Sequence, residues 1–173
     1  MILLGMIVSM VYVSLNYYTV ETKMLDLVEN YGFFAVFLIS FFTDILVQPI
    51  GPDITIIGGI LLDKNFLCIS FFASFGSILA SFFSYFFGKI FSNFGLNKLH
   101  TLKNYKKYRK IYAKYGLFTL SVGALTPVPY VPMCWIAGIF KIKISKFMIF
   151  GIIPRVIRFF TLGVVVHYFH ILY

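Results

Sequence analysis

The sequence predicts an all-α integral membrane protein in which transmembrane helices accompany two re-entrant helical hairpins that form an inverted repeat. Of its 173 residues, 60% are hydrophobic, 20% aromatic and only 12% charged, whereas about a quarter of the residues of a soluble domain are charged. The mean hydropathy is +0.91. Two long apolar stretches are each interrupted by a proline-rich turn. At roughly 20 residues per spanning helix, the chain has room for one compact membrane domain and no separate soluble domain.

The N-terminal 20 residues predict a first transmembrane helix. They are uncharged, and they lack the basic region and the small-residue cleavage site of a secretory signal. Residues 21–30 intersperse apolar and charged side chains: Met24, Leu25, Leu27 and Val28 stand among Glu21, Lys23, Asp26 and Glu29. This pattern is typical of a helix that lies at the membrane interface. Residues 21–173 are expected to form a single membrane domain.

The first hairpin is predicted over residues 32–62, where Pro49, Gly51 and Pro52 interrupt an apolar stretch. The segments on either side, residues 33–47 and 53–62, would be about 22 Å and 15 Å long as helices. Neither crosses a hydrocarbon core of about 30 Å alone, so the pair is expected to enter and leave on one side of the membrane. A single kinked helix that spans the membrane is the alternative.

A long helix is predicted over residues 66–94, because small residues recur there at steps of three and four and allow close helix packing in lipid. These are Ala73, Gly76, Ser77, Ala80, Ser81, Ser84 and Gly88. Residues 97–115 follow. They contain seven lysines and arginines, and apolar or aromatic residues recur mostly at every third position. Lysine and arginine collect in cytoplasmic loops, so this segment is predicted to lie at the cytoplasmic interface.

The second hairpin is predicted over residues 116–140, around a turn that contains Pro127, Pro129 and Pro132. Basic residues flank both of its ends, so both ends are predicted to face the cytoplasm. A last helix over residues 145–173 completes the chain. Two broken segments of opposite orientation, with a binding site between them at the bilayer midplane, are typical of many secondary transporters.

Four charged residues are predicted at membrane depth. Asp63 and Lys146 are taken to lie at the membrane interface. Asp53 precedes Asp63 by ten residues and Arg155 follows Lys146 by nine, so both are predicted about 14–15 Å below the membrane surface. Asp44 and Arg158 fall near the same level. Each such charge costs at least about 2.5–3.5 kcal/mol. Mutual neutralisation, with Asp53 capping a helix, is one interpretation. The other is a polar chamber in which an aspartate exchanges a proton and an arginine binds an anionic head group.

The remaining polar and sulfur-containing residues give weaker indications. His167 and His170 are expected near the interface and His100 in solvent, while Trp135 fits either packing or a cavity lining. Cys68 and Cys134 are expected to be small buried hydrophobes. The sequence has no nucleotide-binding loop, metalloprotease motif or hydrolase motif. We therefore expect no enzyme activity, no cofactor, no metal site and no nucleic-acid partner.

These motifs together resemble the DedA family, also called the SNARE-associated or VTT domain. The resemblance extends over residues 28–165 and rests on three groups of positions: Asp44, Pro49, Pro52, Asp53, Gly58 and Gly59; Gly76, Tyr85, Gly88 and Lys89; and Lys114, Gly116, Gly123, Pro127, Ala137, Gly138, Lys141 and Phe147. The typical second hairpin has two arginines, where this chain has Ala124 and Tyr130. Their absence, with a basic residue at position 155, makes the chain more similar to the YqaA-like branch.

The resemblance implies a multi-pass protein of the cell membrane that acts as a flippase or scramblase of an anionic lipid or a lipid-linked phosphate such as a polyprenyl phosphate. Asp44 and Asp53 are the acids that it carries over, and proton coupling and a homo-oligomer are further expectations. A proton-driven transporter of a small solute or ion is an alternative function. A membrane scaffold whose basic face recruits lipid or a protein is another.

Overall fold

The computed structural model describes residues 11–46, 51–94, 115–126 and 130–172. Within these ranges the chain is helical and contains no strand, which confirms the predicted all-α class. Residues 1–10, the turn residues Pro49, Pro127 and Pro129, and nearly all of the basic segment 97–115 lie outside the described residues. Predictions that fall on them are not tested by the structure.

The helices follow one another along the chain, and residues 11–15 are helical as well. Their bounds are α1 Tyr17–Tyr31, α2 Phe33–Ile45, α3 Pro52–Leu61, α4 Phe66–Phe94, α5 Leu117–Leu125, α6 Val131–Ile139, α7 Ile144–Phe147 and α8 Ile153–Leu172, with a π-helical segment at Met148–Ile152 between α7 and α8. In the described part of the chain, two stretches are long and apolar enough to cross a membrane by length and composition: Phe66–Ser92 and Ile144–Leu172. Helix α4 has the bounds that the sequence predicts.

The helix breaks near the N-terminus lie at Asn16 and Gly32, and not at residue 20, where the sequence predicts a boundary. The chain turns at Asn16, and α1 then continues without interruption to Tyr31. Gly32 separates α1 from α2 with a φ of 60°, a conformation that glycine adopts at no steric cost. The assignment of residues 1–20 as a spanning helix stays a prediction.

Short helices stand on either side of both proline-rich turns. Helix α2 has 13 residues and α3 has ten, while α5 and α6 have nine each. Pro52 is the first residue of α3, where its missing N–H is not needed and its fixed φ suits a helix start. These lengths are too short for a full crossing. That each pair enters and leaves on the same side of a membrane stays a prediction.

Helices α3 and α6 end in the same cap. After α3, Asp63 has a φ of 57°, and the N–H groups of Asp63 and Lys64 donate to the carbonyls of Ile60 and Gly59 at 3.0 and 3.1 Å. This pair of bonds is the Schellman motif.

After α6, Lys141 has a φ of 53°. The N–H groups of Lys141 and Ile142 donate to the carbonyls of Gly138 and Ala137 at 2.9 and 3.1 Å. An identical cap after the second short helix of each apolar stretch supports the predicted internal repeat.

The described residues form two compact units, which are considered separately. The first comprises the described parts of 1–80 and 156–173, and the second those of 81–155. The small residues predicted on α4 are all buried, which confirms that this side of the helix packs inward.

The core of the first unit is apolar and consists of Val28, Ala35, Val36, Ile39, Ile56, Ile60, Ile69, Ala73 and Phe159. Gly76 lets α4 approach α2 closely, because a methyl group at this position would meet the backbone oxygen of Phe37. Gly163 lies equally close to the side chain of Ser70. Glycine at these positions therefore permits the close packing of helices that a membrane interior favours.

In the second unit, α4 and α6 pack backbone against backbone. A methyl group at Gly88 would meet the backbone of Trp135, and one at Gly138 would meet the backbone of Tyr85 and lie 2.8 Å from the nitrogen of Lys89. The Tyr85 hydroxyl donates to the carbonyl of Ile142 at 2.5 Å, which ties α4 to the cap that follows α6.

Candidate functional site

An ion pair joins the first turn of α3 to α8 within the first unit. Asp53 is the second residue of α3, and its Oδ2 accepts a hydrogen bond from Nη2 of Arg158. The Arg158 side chain is 16% exposed and that of Asp53 is 28% exposed. A carboxylate in the first turn also interacts favourably with the helix dipole. The two groups therefore form a partly accessible charge pair that includes one of the predicted acids and one of the predicted arginines.

The second predicted acid lies in the same unit and is more buried. Asp44 is in the last turn of α2 and is 8% exposed. Its Oδ2 accepts a hydrogen bond of 2.5 Å from the hydroxyl of Ser77 on α4, a residue that is 1% exposed. A distance of 2.5 Å is at the short end for a hydrogen bond between two oxygen atoms. Ser77 thus fixes the orientation of the Asp44 carboxyl.

Arg155 belongs to the second unit, where it faces an aromatic ring. It is 6% exposed, and its guanidinium carbon lies 4.6 Å from the centroid of the Tyr130 ring. A cation over a ring face at this distance is attracted by the ring quadrupole. Tyr130 is itself 2% exposed, so the guanidinium lies over a buried ring.

The turn residues that the structure describes lie at the starts of the second short helices. Gly51 precedes α3 in an extended conformation, Pro52 is buried at its first position, and Pro132 is the second residue of α6. Because proline lacks an N–H, it fits the first turn of a helix better than the interior. The two prolines mark the helix starts, as the sequence indicates.

The structure brings some of the predicted residues together. Asp53 and Arg158, which are far apart in sequence, form a direct pair, whereas Asp44 bonds Ser77 in the same unit. Arg155 contacts Tyr130 in the other unit. The convergence of all four charges at one level of a membrane stays a prediction.

Sequence reasoning gave no functional role to Ser77 or Tyr130. The small-residue spacing predicts only that Ser77 packs against another helix, although a hydroxyl within a stripe of small residues also indicates a hydrogen-bond donor. Tyr130 stands where the family typically has an arginine. A large aromatic residue at that position, with an arginine on a later helix, was the available indication of the contact with Arg155.

The two cysteines differ in exposure. Cys134 is buried as expected, but Cys68 is exposed, because it lies near the N-terminal end of α4 on the side that is turned away from the core. The ring of His167 stacks on Phe66 with centroids 4.5 Å apart. Among the described residues, no group of three histidines, cysteines or acids is placed to bind a metal ion.

The comparisons with known proteins agree with the resemblance. The model of the VTT domain matches residues 50–168. An uncharacterized protein of Methanocaldococcus jannaschii is 27% identical over 135 residues, which cover 78% of this chain and 84% of that protein. No solved structure matches the chain. The similarity to the YqaA-like branch stays a prediction.

The matched region and the helices agree on the class of protein. The VTT domain is the DedA or SNARE-associated domain, whose members are associated with membranes and thought to be transporter-like, and it is not an enzyme family. With the two apolar helices that are long enough to span, this match indicates a membrane protein. The chain therefore belongs to the VTT domain family.

Proposed function

We propose that this protein translocates an anionic lipid, or a lipid-linked phosphate, across the cell membrane as a flippase or scramblase. Membership of a transporter-like membrane family supports the proposal. So does a set of charged residues in otherwise apolar helices, since ionisable groups within membrane segments are costly and mark substrate or proton pathways.

The ion pair between Asp53 and Arg158 is the observation that supports this function best. A guanidinium has five N–H donors in a planar fork that matches the oxygens of a phosphate. One Nη of Arg158 bonds the carboxylate, and the partial exposure of both side chains leaves the pair open to exchange. A lipid phosphate would replace the carboxylate on Arg158.

Charge balance connects this exchange to protons. If a phosphate took over Arg158 while Asp53 stayed ionised, two negative charges would share one cation in a region of low dielectric, which is strongly unfavourable. Protonation of Asp53 removes this repulsion. The head group and a proton would therefore enter together, which is the basis for a proton-coupled cycle.

Asp44 and Arg155 take supporting roles in the proposal. Asp44 is buried and bonded to Ser77, so it would serve as a second proton acceptor rather than as a first contact for the substrate. Arg155 over Tyr130 would offer a guanidinium to a phosphate within the second unit. Each role is assigned from contacts within one unit.

Translocation in liposomes tests the proposal. The purified chain would be reconstituted with fluorescent anionic and neutral lipids, and an impermeant reductant would report the label that reaches the outer leaflet. We expect faster movement of the anionic lipid than in protein-free liposomes, and at least about a tenfold loss in Asp53→Asn and Arg158→Gln. Asp63→Asn is the matched control, because it removes an exposed carboxylate at a position where asparagine tolerates the positive φ.

Other results would assign a different function. Uptake of a water-soluble substrate under a pH gradient without lipid movement would indicate the small-solute or ion transporter. No transport of either kind, with lipid or protein recruitment lost on charge reversal of Lys106, Lys107, Arg109 and Lys110, would indicate the scaffold. Wild-type lipid movement in both the Asp53 and the Arg158 variants would contradict the site.

A further inference from the structure

The last long helix changes its hydrogen-bond register just before its first arginine. Within the π-helical segment Met148–Ile152, the N–H of Ile153 donates to the carbonyl of Met148, five residues earlier. Pro154 follows and has no N–H. In a regular α-helix the N–H of residue 154 would bond the carbonyl of Phe150. The helix itself therefore supplies no α-type donor to that carbonyl.

A side chain of α5 supplies the donor instead. The hydroxyl of Ser121 lies 3.2 Å from the carbonyl of Leu117 and 2.7 Å from that of Phe150. It has one proton to donate, and the shorter distance favours the bond to Phe150. The bond itself is exposed, but the next residue is closely packed, since a methyl group at Gly151 would meet the Tyr130 hydroxyl and lie 3.0 Å from Cδ2 of Leu120. Backbone carbonyls in a membrane interior need such internal partners, because no water is present to replace them.

The arginine that follows depends on this register. Arg155 comes directly after Pro154, and its guanidinium carbon lies 4.6 Å from the centroid of the Tyr130 ring. A π-helical turn contains one residue more than the equivalent α-helical turn. Loss of that extra residue from the turn would rotate Arg155 by about 100° around the helix axis. The guanidinium would then leave the ring.

We propose that Ser121 is a positioning residue for Arg155. Its hydroxyl replaces the N–H that Pro154 lacks, stabilises the π-helical turn and so places the guanidinium over Tyr130, where it binds the phosphate of an anionic lipid. The lipid-binding part rests on the proposed function, whereas the structural part does not.

A double-mutant cycle tests the structural part. Ser121→Ala, Pro154→Ala, the double variant and Ser121→Thr would be compared by thermal unfolding of the full chain in detergent. Ser121→Ala should lower Tm, Ser121→Thr should keep it, and Pro154→Ala should offset the loss because alanine restores the backbone donor. Thr119→Ala is the matched control, since its hydroxyl bonds a carbonyl of the same helical segment, that of Tyr115. Strict additivity in the cycle would overturn the proposal.

Lipid affinity tests the positioning. Trp135 is the single tryptophan, so its quenching by a brominated anionic phospholipid, with a brominated neutral one beside it, reports binding to the full chain. Ser121→Ala should weaken anionic-lipid binding about fivefold, as expected for the loss of one hydrogen bond, and Ser121→Thr should restore it.

The double variant separates the positioning role from a merely structural one. It should regain Tm without regaining affinity, because the restored N–H favours a regular α-helical register that rotates Arg155 away from Tyr130. Recovery of both properties, or unchanged affinity in Ser121→Ala, would overturn the positioning role. A wild-type protein that does not distinguish anionic from neutral lipid would instead contradict the proposed function, while the thermal cycle would still decide whether Ser121 replaces the missing donor.

Discussion

The ion pair between Asp53 and Arg158 predicts a coupled loss of stability. Two unit charges about 4 Å apart attract by about 4 kcal/mol at an effective dielectric constant of about 20. Desolvation offsets much of this attraction, and exposed pairs contribute about 0–1 kcal/mol whereas breaking a buried one costs about 3–5. With side chains 16% and 28% exposed, we expect an intermediate coupling of about 1–2 kcal/mol.

A double-mutant cycle measures this coupling by comparing the stabilities of the wild type, Asp53→Asn, Arg158→Gln and the double variant. Each single variant leaves one partly buried charge without its partner. A loss of about 1–2 kcal/mol should lower Tm by about 2–8 °C, since 1 kcal/mol corresponds to about 2–4 °C in a chain of this size. The double variant should lose less than the sum of the two. Thermal unfolding in detergent, followed by circular dichroism, measures all four.

A second cycle provides the control. Asp63→Asn combined with Arg158→Gln should be additive within about 0.5 kcal/mol, because separated sites do not couple. If the effects of Asp53→Asn and Arg158→Gln are also additive within about 0.5 kcal/mol, the predicted coupling is refuted. In that case the pair would contribute nothing to the fold, and its exchange with a phosphate would need another energetic basis.

Two further predictions concern packing and the buried acid. Gly138→Ala should destabilise the protein by about 1–3 kcal/mol, because its new methyl group would meet α4 backbone atoms that cannot yield. Gly51→Ala is the control and should change Tm little, because the nearest atom to its methyl group would be 4.0 Å away. Equal losses of Tm in the two variants would contradict this account. Ser77→Ala should cost about 1–3 kcal/mol, because it removes the donor to a buried carboxyl oxygen. This cost should disappear in an Asp44→Ala background if the bond accounts for it.

Elements that follow local rules could be predicted from the sequence. The bounds of α4 follow from an apolar run with small residues at helical spacing. The break before α3 follows from Pro52, whose ring disfavours a preceding helix and suits a helix start. Burial of the small residues on α4 follows as well, since only the packed side of such a helix benefits from them.

Partner choice could be predicted only in part. The depth estimate placed Asp53 and Arg158 near one level, and the structure pairs them. The same estimate could not show that Asp44 bonds Ser77, because a serine in a small-residue stripe has the same sequence pattern whether it packs or donates. Helical spacing also says nothing about which element faces Arg155. That information depends on tertiary packing, which a local pattern does not contain.

The caps after the two second short helices give a final prediction on topology. Asp63 and Lys141 occupy the same position of the same motif, both exposed and both with a positive φ, at a site where glycine would avoid a cost of about 1–2 kcal/mol. The positive-inside rule predicts that Lys141 faces the cytoplasm, and an inverted repeat would then predict that Asp63 faces the outside. In a cysteine-free background, Lys64→Cys should react with an impermeant maleimide on intact cells and Lys143→Cys only after permeabilisation. Labelling of both from one side would exclude the inverted arrangement, and with it the central reason for expecting a transport pathway between the two repeats.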